Sequence, residues 1–261
     1  MTEATESSAA SMPLVIAHRG ASVSHAEHTI DAYETALDEG ADGFECDVRL
    51  TLDGVMVCLH DRRIDRTSNG HAVVSTSTYE ELVKHDYGSW HDPGKGASQL
   101  LTFRQLLDFA TSAPRPVSLS IETKHPVRYG GQIERRLVKT LKEYGLDDPS
   151  VSDVQVRVMS FSSVALRRMR SLAPKIPTVF LMDRVPLVHR DGSLPHGVHI
   201  AGPGIHILRK HPHYVERVHK AGNKVHVWTV DEPDDVQLCL NQGVDAIITN
   251  KPGFVKGLIK T

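Results

Sequence analysis

The chain has 261 residues, of which 40% are hydrophobic and 24% are charged, and its formal net charge is −2. This balance is typical of a globular protein, and so small a net charge gives no electrostatic reason to expect nucleic acid as a partner. Apolar runs all fall well short of the roughly 20 residues that a membrane-spanning helix needs, so we expect no integral membrane segment.

The first 12 residues, MTEATESSAASM, are small and polar and lack the basic start of a secretory signal. We therefore expect residues 1–12 to form a disordered lead-in and residues 13–261 to form a single domain. The three cysteines, Cys46, Cys58 and Cys239, contain no C-x-x-C pair and cannot all be joined in disulfides. A reducing, cytoplasmic location is the default expectation for such a chain.

Short apolar runs alternate with helical patterns along most of the chain. Predicted strands cover residues 14–18, 44–48, 55–60, 117–122, 154–160, 177–182, 197–200, 225–230 and 245–249. Predicted helices cover residues 29–39, 103–111, 132–144, 163–172, 212–221, 233–242 and 254–260. Because the alternation continues to the end of the chain, it favours an α/β fold of the closed (β/α)8 TIM-barrel type. Nine strands are one too many for this barrel, and 197–200 is the weakest of them.

Two stretches break the alternation. Residues 49–54 separate the second and third predicted strands and are too few for a crossover helix. Residues 61–101 form a long segment rich in Ser, Thr, Gly and His. A segment of this length is usually functional or folds as a small subdomain of its own.

Titratable side chains lie at the ends of the first four predicted strands, where barrel enzymes carry their reactive groups. They are His18 and Arg19, Glu45 and Asp47, His60 and Asp61, and Glu122 and Lys124. A barrel with a purely structural role has little reason for this pattern, so the strand ends indicate an active site.

Glu45 and Asp47 are two residues apart on one strand, so their side chains share a face. Adjacent carboxylates raise one another's pKa unless a cation holds them. Glu122 supplies a third carboxylate, from a strand that we place two positions around the barrel. Three oxygen ligands without cysteine suit Mg²⁺, Ca²⁺ or Mn²⁺ better than zinc. Salt bridges from Arg49 and Lys124 would explain the same acids without a metal.

His18 and His60 are candidates for an acid–base pair, because imidazole titrates closest to neutral pH. The structural alternative for each is an ordinary hydrogen-bonded histidine at a strand end. Arg19 and Lys124 are candidates for binding an oxyanion, the first through its planar fork and the second as a point charge. Their alternative role is pairing with the carboxylates already named.

These residues form part of a longer series of blocks that resembles the glycerophosphodiester phosphodiesterase family. The blocks are IAHRGA at 16–21, Glu27-x-Thr29, Glu45-x-Asp47, Asp53-Gly54, His60-Asp61, DRTSNG at 65–70, Glu122-x-Lys124, Ser160-Phe161, VWTV at 227–230 and GVDAIIT at 243–249. They occur in order from about residue 14 to residue 252, and so many blocks in order are far more specific than any single dipeptide.

The resemblance implies hydrolysis of small-molecule glycerophosphodiesters to glycerol 3-phosphate and an alcohol. It implies a divalent cation, Mg²⁺ or Ca²⁺ with Mn²⁺ as a further option, on the three carboxylates. It also implies that His18 and His60 act as acid and base, with Arg19 and Lys124 around the phosphate. A cyclic phosphate intermediate and direct attack by water are equally compatible with the sequence. The family's small, largely helical insertion would correspond to residues 61–101, after the third strand.

Three positions depart from the family's usual pattern, in which Glu-Asn-Thr, Trp-Thr-Val-Asn and Thr-Asp occur. Here Glu27 is followed by His28, Asp231 follows Trp-Thr-Val, and Asn250 follows Thr249. Because metal ligands and catalytic histidines are retained, these changes bear on substrate preference and on contacts around the site. We assign Glu27, His28 and Asp231 to that surrounding layer.

Trp228, at the end of a late strand, is expected to pack against the glycerol part of the substrate, with plain core packing as the alternative. Two other functions remain compatible with the fold. Lysophospholipase D-type or phospholipase C-like hydrolysis would use the same barrel and a similar pair of histidines. A catalytically silent barrel that binds a phosphorylated metabolite is disfavoured, because both histidines and all three carboxylates are present.

Overall fold

Nine strands form one sheet in the computed structural model, which describes residues 12–128 and 130–259. They are β1 (Leu14–His18), β2 (Gly43–Leu50), β3 (Met56–Cys58), β4 (Val117–Thr123), β5 (Val154–Ser160), β6 (Thr178–Met182), β7 (Ile200–Pro203), β8 (Lys224–Val227) and β9 (Ala246–Thr249). All except β3 are parallel, and the pairing of β1 with both β2 and β9 closes them into an eight-stranded barrel. The (β/α)8 prediction is confirmed.

The surplus strand is β3, so the choice of 197–200 as the doubtful strand is wrong. β3 runs antiparallel to β2 and lies outside the closed barrel, with Val48 opposite Cys58 and Leu50 opposite Met56. The link between β2 and β3 is too short for the crossover connection that parallel strands need, so the chain turns back and forms a hairpin. A barrel strand does occur here, but the predicted bounds 197–200 are wrong, because β7 covers residues 200–203, where it pairs with both β6 and β8.

This correction changes the neighbours of β2. β4 pairs directly with β2, so Glu122 comes from the adjacent barrel strand and not from one two places away. At Gly43, where β2 begins, an added Cβ would lie 2.1 Å from the Ser118 carbonyl oxygen of β4. The two strands that carry the acidic residues therefore approach each other closely.

Nine α-helices occur in the described ranges, and most of them follow a barrel strand. They are α1 (Ile30–Asp38), α2 (Tyr79–Leu82), α3 (Phe103–Thr111), α4 (Gln132–Glu143), α5 (Ser163–Leu172), α6 (Ile205–Lys210), α7 (Tyr214–Lys220), α8 (Pro233–Gln242) and α9 (Pro252–Ile259). At the start of α3, Thr102 and Gln105 form a reciprocal capping box, which fixes where that helix begins. Over the described residues, none of these helices has the length and apolar character needed to cross a membrane.

Residues 61–101 connect β3 to α3 and contain little helix. Their regular structure consists of α2 and two single 3₁₀ turns, Val74–Thr76 and Pro93–Lys95, so the segment is less helical than the resemblance implied. A small apolar cluster of its own, which includes Ile64, Leu82 and Leu100, packs against the β3 region. This cluster gives the segment a fixed shape beside the barrel. The predicted lead-in falls on residues outside the described range, apart from Met12.

Candidate active site

A cavity of about 330 Å³ opens at the carboxyl ends of the barrel strands. It brings together the predicted catalytic, phosphate-binding and metal-binding residues, with Asp47 buried beside them. The cavity is lined by His18, Arg19, Glu45, His60, Glu122, Lys124, Met159, Phe161, Leu181, Asp183, Trp228, Thr229 and Ile248.

The three predicted metal ligands converge on one point. Glu45 and Asp47 project from the same face of β2, and Asp47 is the register partner of Glu122 on β4. One carboxylate oxygen from each residue lies within 4.8 Å of the others, and all three side chains are buried. Oxygen donors packed this closely suit a hard divalent cation. The cluster could therefore hold one such ion.

Electrostatics support the same conclusion. Burial and the neighbouring Asp47 charge raise the pKa of Glu45 well above its usual value, and they raise the pKa of Glu122 to about 7. Burial alone would also raise the pKa of Asp47, but the charge of Lys124, a hydrogen bond from His28 and the charge of Arg19 hold it well below its usual value. The cluster thus has one firmly ionised carboxylate and two that need more positive charge nearby.

Two cations already contact Asp47. Lys124 Nζ lies 2.9 Å from both Asp47 Oδ1 and Glu122 Oε1, and Arg19 Nε lies 3.0 Å from Asp47 Oδ2. The alternative of salt bridges is therefore correct for Lys124 but wrong for Arg49. Arg49 instead donates through Nη2 and Nε to the His60 carbonyl oxygen at 2.6 and 3.0 Å. It helps to fix the backbone on which His60 stands.

Arg19 is held on several sides. Its backbone has a φ of +58°, its N–H donates to Glu45 Oε2 at 3.2 Å, and its Nη1 donates to Glu27 at 3.0 Å. Glu27 also accepts hydrogen bonds from both terminal nitrogens of Arg66, a residue of the 61–101 segment, each at 2.8 Å. Burial alone would raise the pKa of Glu27, but the bonds from Arg66 and the charge of Arg19 lower it to about 2. Glu27 therefore orients the guanidinium that faces the cavity.

His28 stands where the family pattern has asparagine, and its role is to support Asp47. Its Nε2 donates to Asp47 Oδ2 at 3.0 Å, and its Nδ1 lies 2.9 Å from the Tyr33 hydroxyl. The ring is buried, and the residue has a φ of +60°. The departure therefore supplies another donor to a metal-ligand carboxylate and leaves the ligand set intact.

The two candidate acid–base residues have different partners. His18 Nδ1 lies 2.7 Å from Asn250 Oδ1, and burial together with the adjacent Arg19 charge lowers the pKa of His18 to about 3. His60 Nδ1 lies 2.6 Å from Asp61 Oδ1, and burial lowers its pKa. Since both rings use Nδ1 for these bonds, Nε2 is the nitrogen that each can offer to a ligand, and the Nε2 of His18 lies 3.9 Å from Glu45 Oε2.

Trp228 forms part of the cavity wall. Its indole Nε1 donates to the Gly202 carbonyl oxygen at 2.7 Å, and its ring meets the edge of Phe161 at a centroid distance of 5.5 Å. Phe161 and Asp183, which we did not single out as site residues, also line the cavity. Both directly follow barrel strands, so the strand-end rule could have identified them.

Asp231, which we assigned to the layer around the site, accepts hydrogen bonds from Thr249 and Asn250.

A family model described as the glycerophosphoryl diester phosphodiesterase family matches residues 18–254. The chain belongs to this family. The enzyme is 43% identical over 254 residues to a Mycobacterium tuberculosis protein named "Probable glycerophosphodiester phosphodiesterase 1", a match that covers 95% of this chain and 93% of the relative. It is 33% identical to the glycerophosphodiester phosphodiesterase of Bacillus subtilis, over 92% of this chain and 84% of the relative.

Solved structures of similar fold agree with this assignment. A phosphodiesterase from Oleispira antarctica superimposes with a TM-score of 0.82 at 23% identity, covering 96% of this chain and 98% of the other. A glycerophosphodiester phosphodiesterase from Agrobacterium tumefaciens superimposes with a TM-score of 0.78 at 25% identity, covering 94% and 100%. The enzyme is thus a phosphoric diester hydrolase on a (β/α)8 barrel.

The role of His28 predicts a stability effect. Replacing His28 by alanine should lower the free energy of unfolding by about 1–3 kcal/mol, because buried Asp47 and Tyr33 each lose a partner. Urea denaturation would measure the change. The matched control is His71→Ala, an exposed histidine whose loss should alter stability by less than about 0.5 kcal/mol. Equal, small effects of both substitutions would contradict the supporting role.

Proposed function

We propose that the enzyme hydrolyses glycerophosphodiesters to glycerol 3-phosphate and an alcohol, with one divalent cation on Glu45, Asp47 and Glu122 and with His18 and His60 as acid and base. The observation that carries this proposal is the convergence of three buried carboxylates and two imidazoles on one cavity. The Oleispira antarctica structure, which is described as a complex with the product sn-glycerol-3-phosphate, supports the choice of product.

Binding of the phosphate uses the positive end of the cavity. A phosphodiester carries one negative charge, which spreads over more oxygens as the phosphorus is attacked. The Arg19 guanidinium, held by Glu27 and Asp47, lines the cavity and offers donors in a fixed geometry. Lys124 adds a second positive charge at the carboxylate cluster. When bound, Mg²⁺, Ca²⁺ or Mn²⁺ would draw charge from the phosphate oxygens and make a nearby hydroxyl more acidic.

The two histidines move the protons. In the first step, the 2-hydroxyl of the glycerol attacks phosphorus, one imidazole Nε2 takes the hydroxyl proton, and the other donates a proton to the departing alcohol oxygen. This step gives a cyclic glycerol phosphate and the free alcohol. In the second step, water opens the ring while the histidines exchange roles, which yields glycerol 3-phosphate and restores both rings.

Loss of either histidine should reduce turnover strongly. We expect His18→Ala or His60→Ala to lower kcat on sn-glycero-3-phosphocholine by roughly 10²–10⁴-fold, because a positioned proton carrier is lost. Choline release measures the rate, and an unchanged circular dichroism spectrum would show that folding is intact. His213→Ala, an exposed histidine before α7, is the matched control. Turnover near that of the wild type in both variants would sink the acid–base assignment.

The cyclic route makes a separate prediction about the substrate. An analogue of glycerophosphocholine that lacks the 2-hydroxyl has no internal nucleophile, so the enzyme should bind it without releasing choline. Inhibition of the normal reaction by the analogue would show that it still binds, and the parent substrate assayed alongside is the control. Choline release from the analogue at a comparable rate would show that water attacks phosphorus directly.

A further inference from the structure

Asn250 and Asp231 extend a hydrogen-bonded series from His18 Nδ1, whereas Nε2 on the other side of the ring lies 3.9 Å from Glu45 Oε2. His18 Nδ1 lies 2.7 Å from Asn250 Oδ1, directly after β9. Asn250 Nδ2 in turn donates to Asp231 Oδ2 at 2.6 Å. The other oxygen of Asp231 accepts from the Asn250 backbone N–H at 2.8 Å and from the Thr249 hydroxyl at 2.9 Å. Asp231 is therefore fixed by three hydrogen bonds.

The donor and acceptor in each hydrogen bond of this series follow from the chemistry of the groups. A carboxylate only accepts hydrogen bonds, so the amide that faces Asp231 must present its NH₂ group. The amide oxygen of Asn250 then has to face His18, and the ring nitrogen that meets it must carry the proton. Ser22 does not fix the orientation of the Asn250 amide, because its hydroxyl can donate either to Asn250 Oδ1 at 2.8 Å or to the His18 carbonyl oxygen at 2.9 Å.

We propose that Asp231 and Asn250 are positioning residues that hold neutral His18 in its Nδ1–H tautomer, so that Nε2 is an unprotonated base at the cavity. This role rests on the proposed function, because it assumes that His18 transfers protons, and it adds the residues that position His18. The proposal concerns His18 alone: with the proton on Nδ1, His18 Nε2 can take the proton of the attacking hydroxyl.

The proposal also connects two departures from the family pattern. That pattern has asparagine where Asp231 stands and aspartate where Asn250 stands. With those residues, the asparagine amide would donate to the aspartate, whose other oxygen would face His18. The exchange seen here keeps a hydrogen bond between the two side chains and keeps an acceptor oxygen beside Nδ1. Neither change alone would keep both features.

The test begins with Asp231→Asn. An asparagine at 231 keeps one oxygen for the Asn250 N–H and the Thr249 hydroxyl and turns its NH₂ toward Asn250. The Asn250 amide should then flip and present NH₂ to His18, which would shift the ring to the Nε2–H tautomer. Nitrogen chemical shifts of ¹⁵N-histidine-labelled protein near neutral pH report the tautomer, and His18→Gln identifies the signal. Ser22→Ala is the control and should keep the Nδ1–H form.

Rescue distinguishes positioning from a general structural effect. Asp231→Asn should lower kcat by roughly 10²-fold or more with little change in KM, since the ring would offer a donor where a base is needed. Asn250→Asp alone should also lower kcat, because two carboxylates would face each other. The double variant Asp231→Asn/Asn250→Asp should recover both the Nδ1–H tautomer and most of the turnover.

Each outcome decides the matter. Retention of the Nδ1–H tautomer in Asp231→Asn, or no recovery in the double variant, would overturn the proposal. A changed tautomer with full turnover would overturn it too, provided that His18→Ala is inactive in the same assay. If His18→Ala is itself active, the proposed function fails and the assignment of His18 as base falls with it.

Discussion

Three buried carboxylates on two adjacent strands form the constraint on which the site depends. Carboxylates removed from water repel one another and resist ionisation unless positive charge or hydrogen-bond donors compensate them. Lys124, Arg19 and His28 all contact Asp47, which keeps that residue ionised. Glu45 and Glu122 receive less support, and burial raises the pKa of each. A divalent cation is the simplest charge that would complete the cluster.

The barrel provides the rigidity that such a cluster needs. Parallel pairing sets Asp47 beside Glu122, and the same two strands approach each other closely at Gly43, where β2 begins. The loop after β1 supplies the cationic side of the site. Arg19 and His28 in this loop adopt positive φ values, a conformation that non-glycine residues accept mainly where surrounding contacts enforce it. Those contacts are the bonds to Asp47 and Glu27 that orient the phosphate-binding guanidinium.

Much of this arrangement could be predicted from the sequence because strand ends meet at one face of a barrel. That rule alone predicts that His18, Glu45 and Glu122 lie together, and all three line the cavity. The apolar pattern wrongly assigned β3 to the barrel, because an antiparallel hairpin strand has the same pattern, although His60, just beyond β3, still lines the cavity. The pairing of Asp231 with Asn250 was also out of reach, because the contact depends on how the β8–α8 loop folds back onto the end of β9. Local pattern carries no information about that contact.

Direct titration of the enzyme with Mg²⁺, Ca²⁺ or Mn²⁺ by isothermal calorimetry tests the central claim most directly. The claim predicts one ion per chain and a large loss of affinity in Asp47→Asn and Glu122→Gln. The control is Asp183→Asn, which alters a carboxylate that lines the same cavity but does not belong to the three-residue cluster. Binding that is absent in the wild type, or that is unchanged when Asp47 and Glu122 are neutralised, would contradict the account.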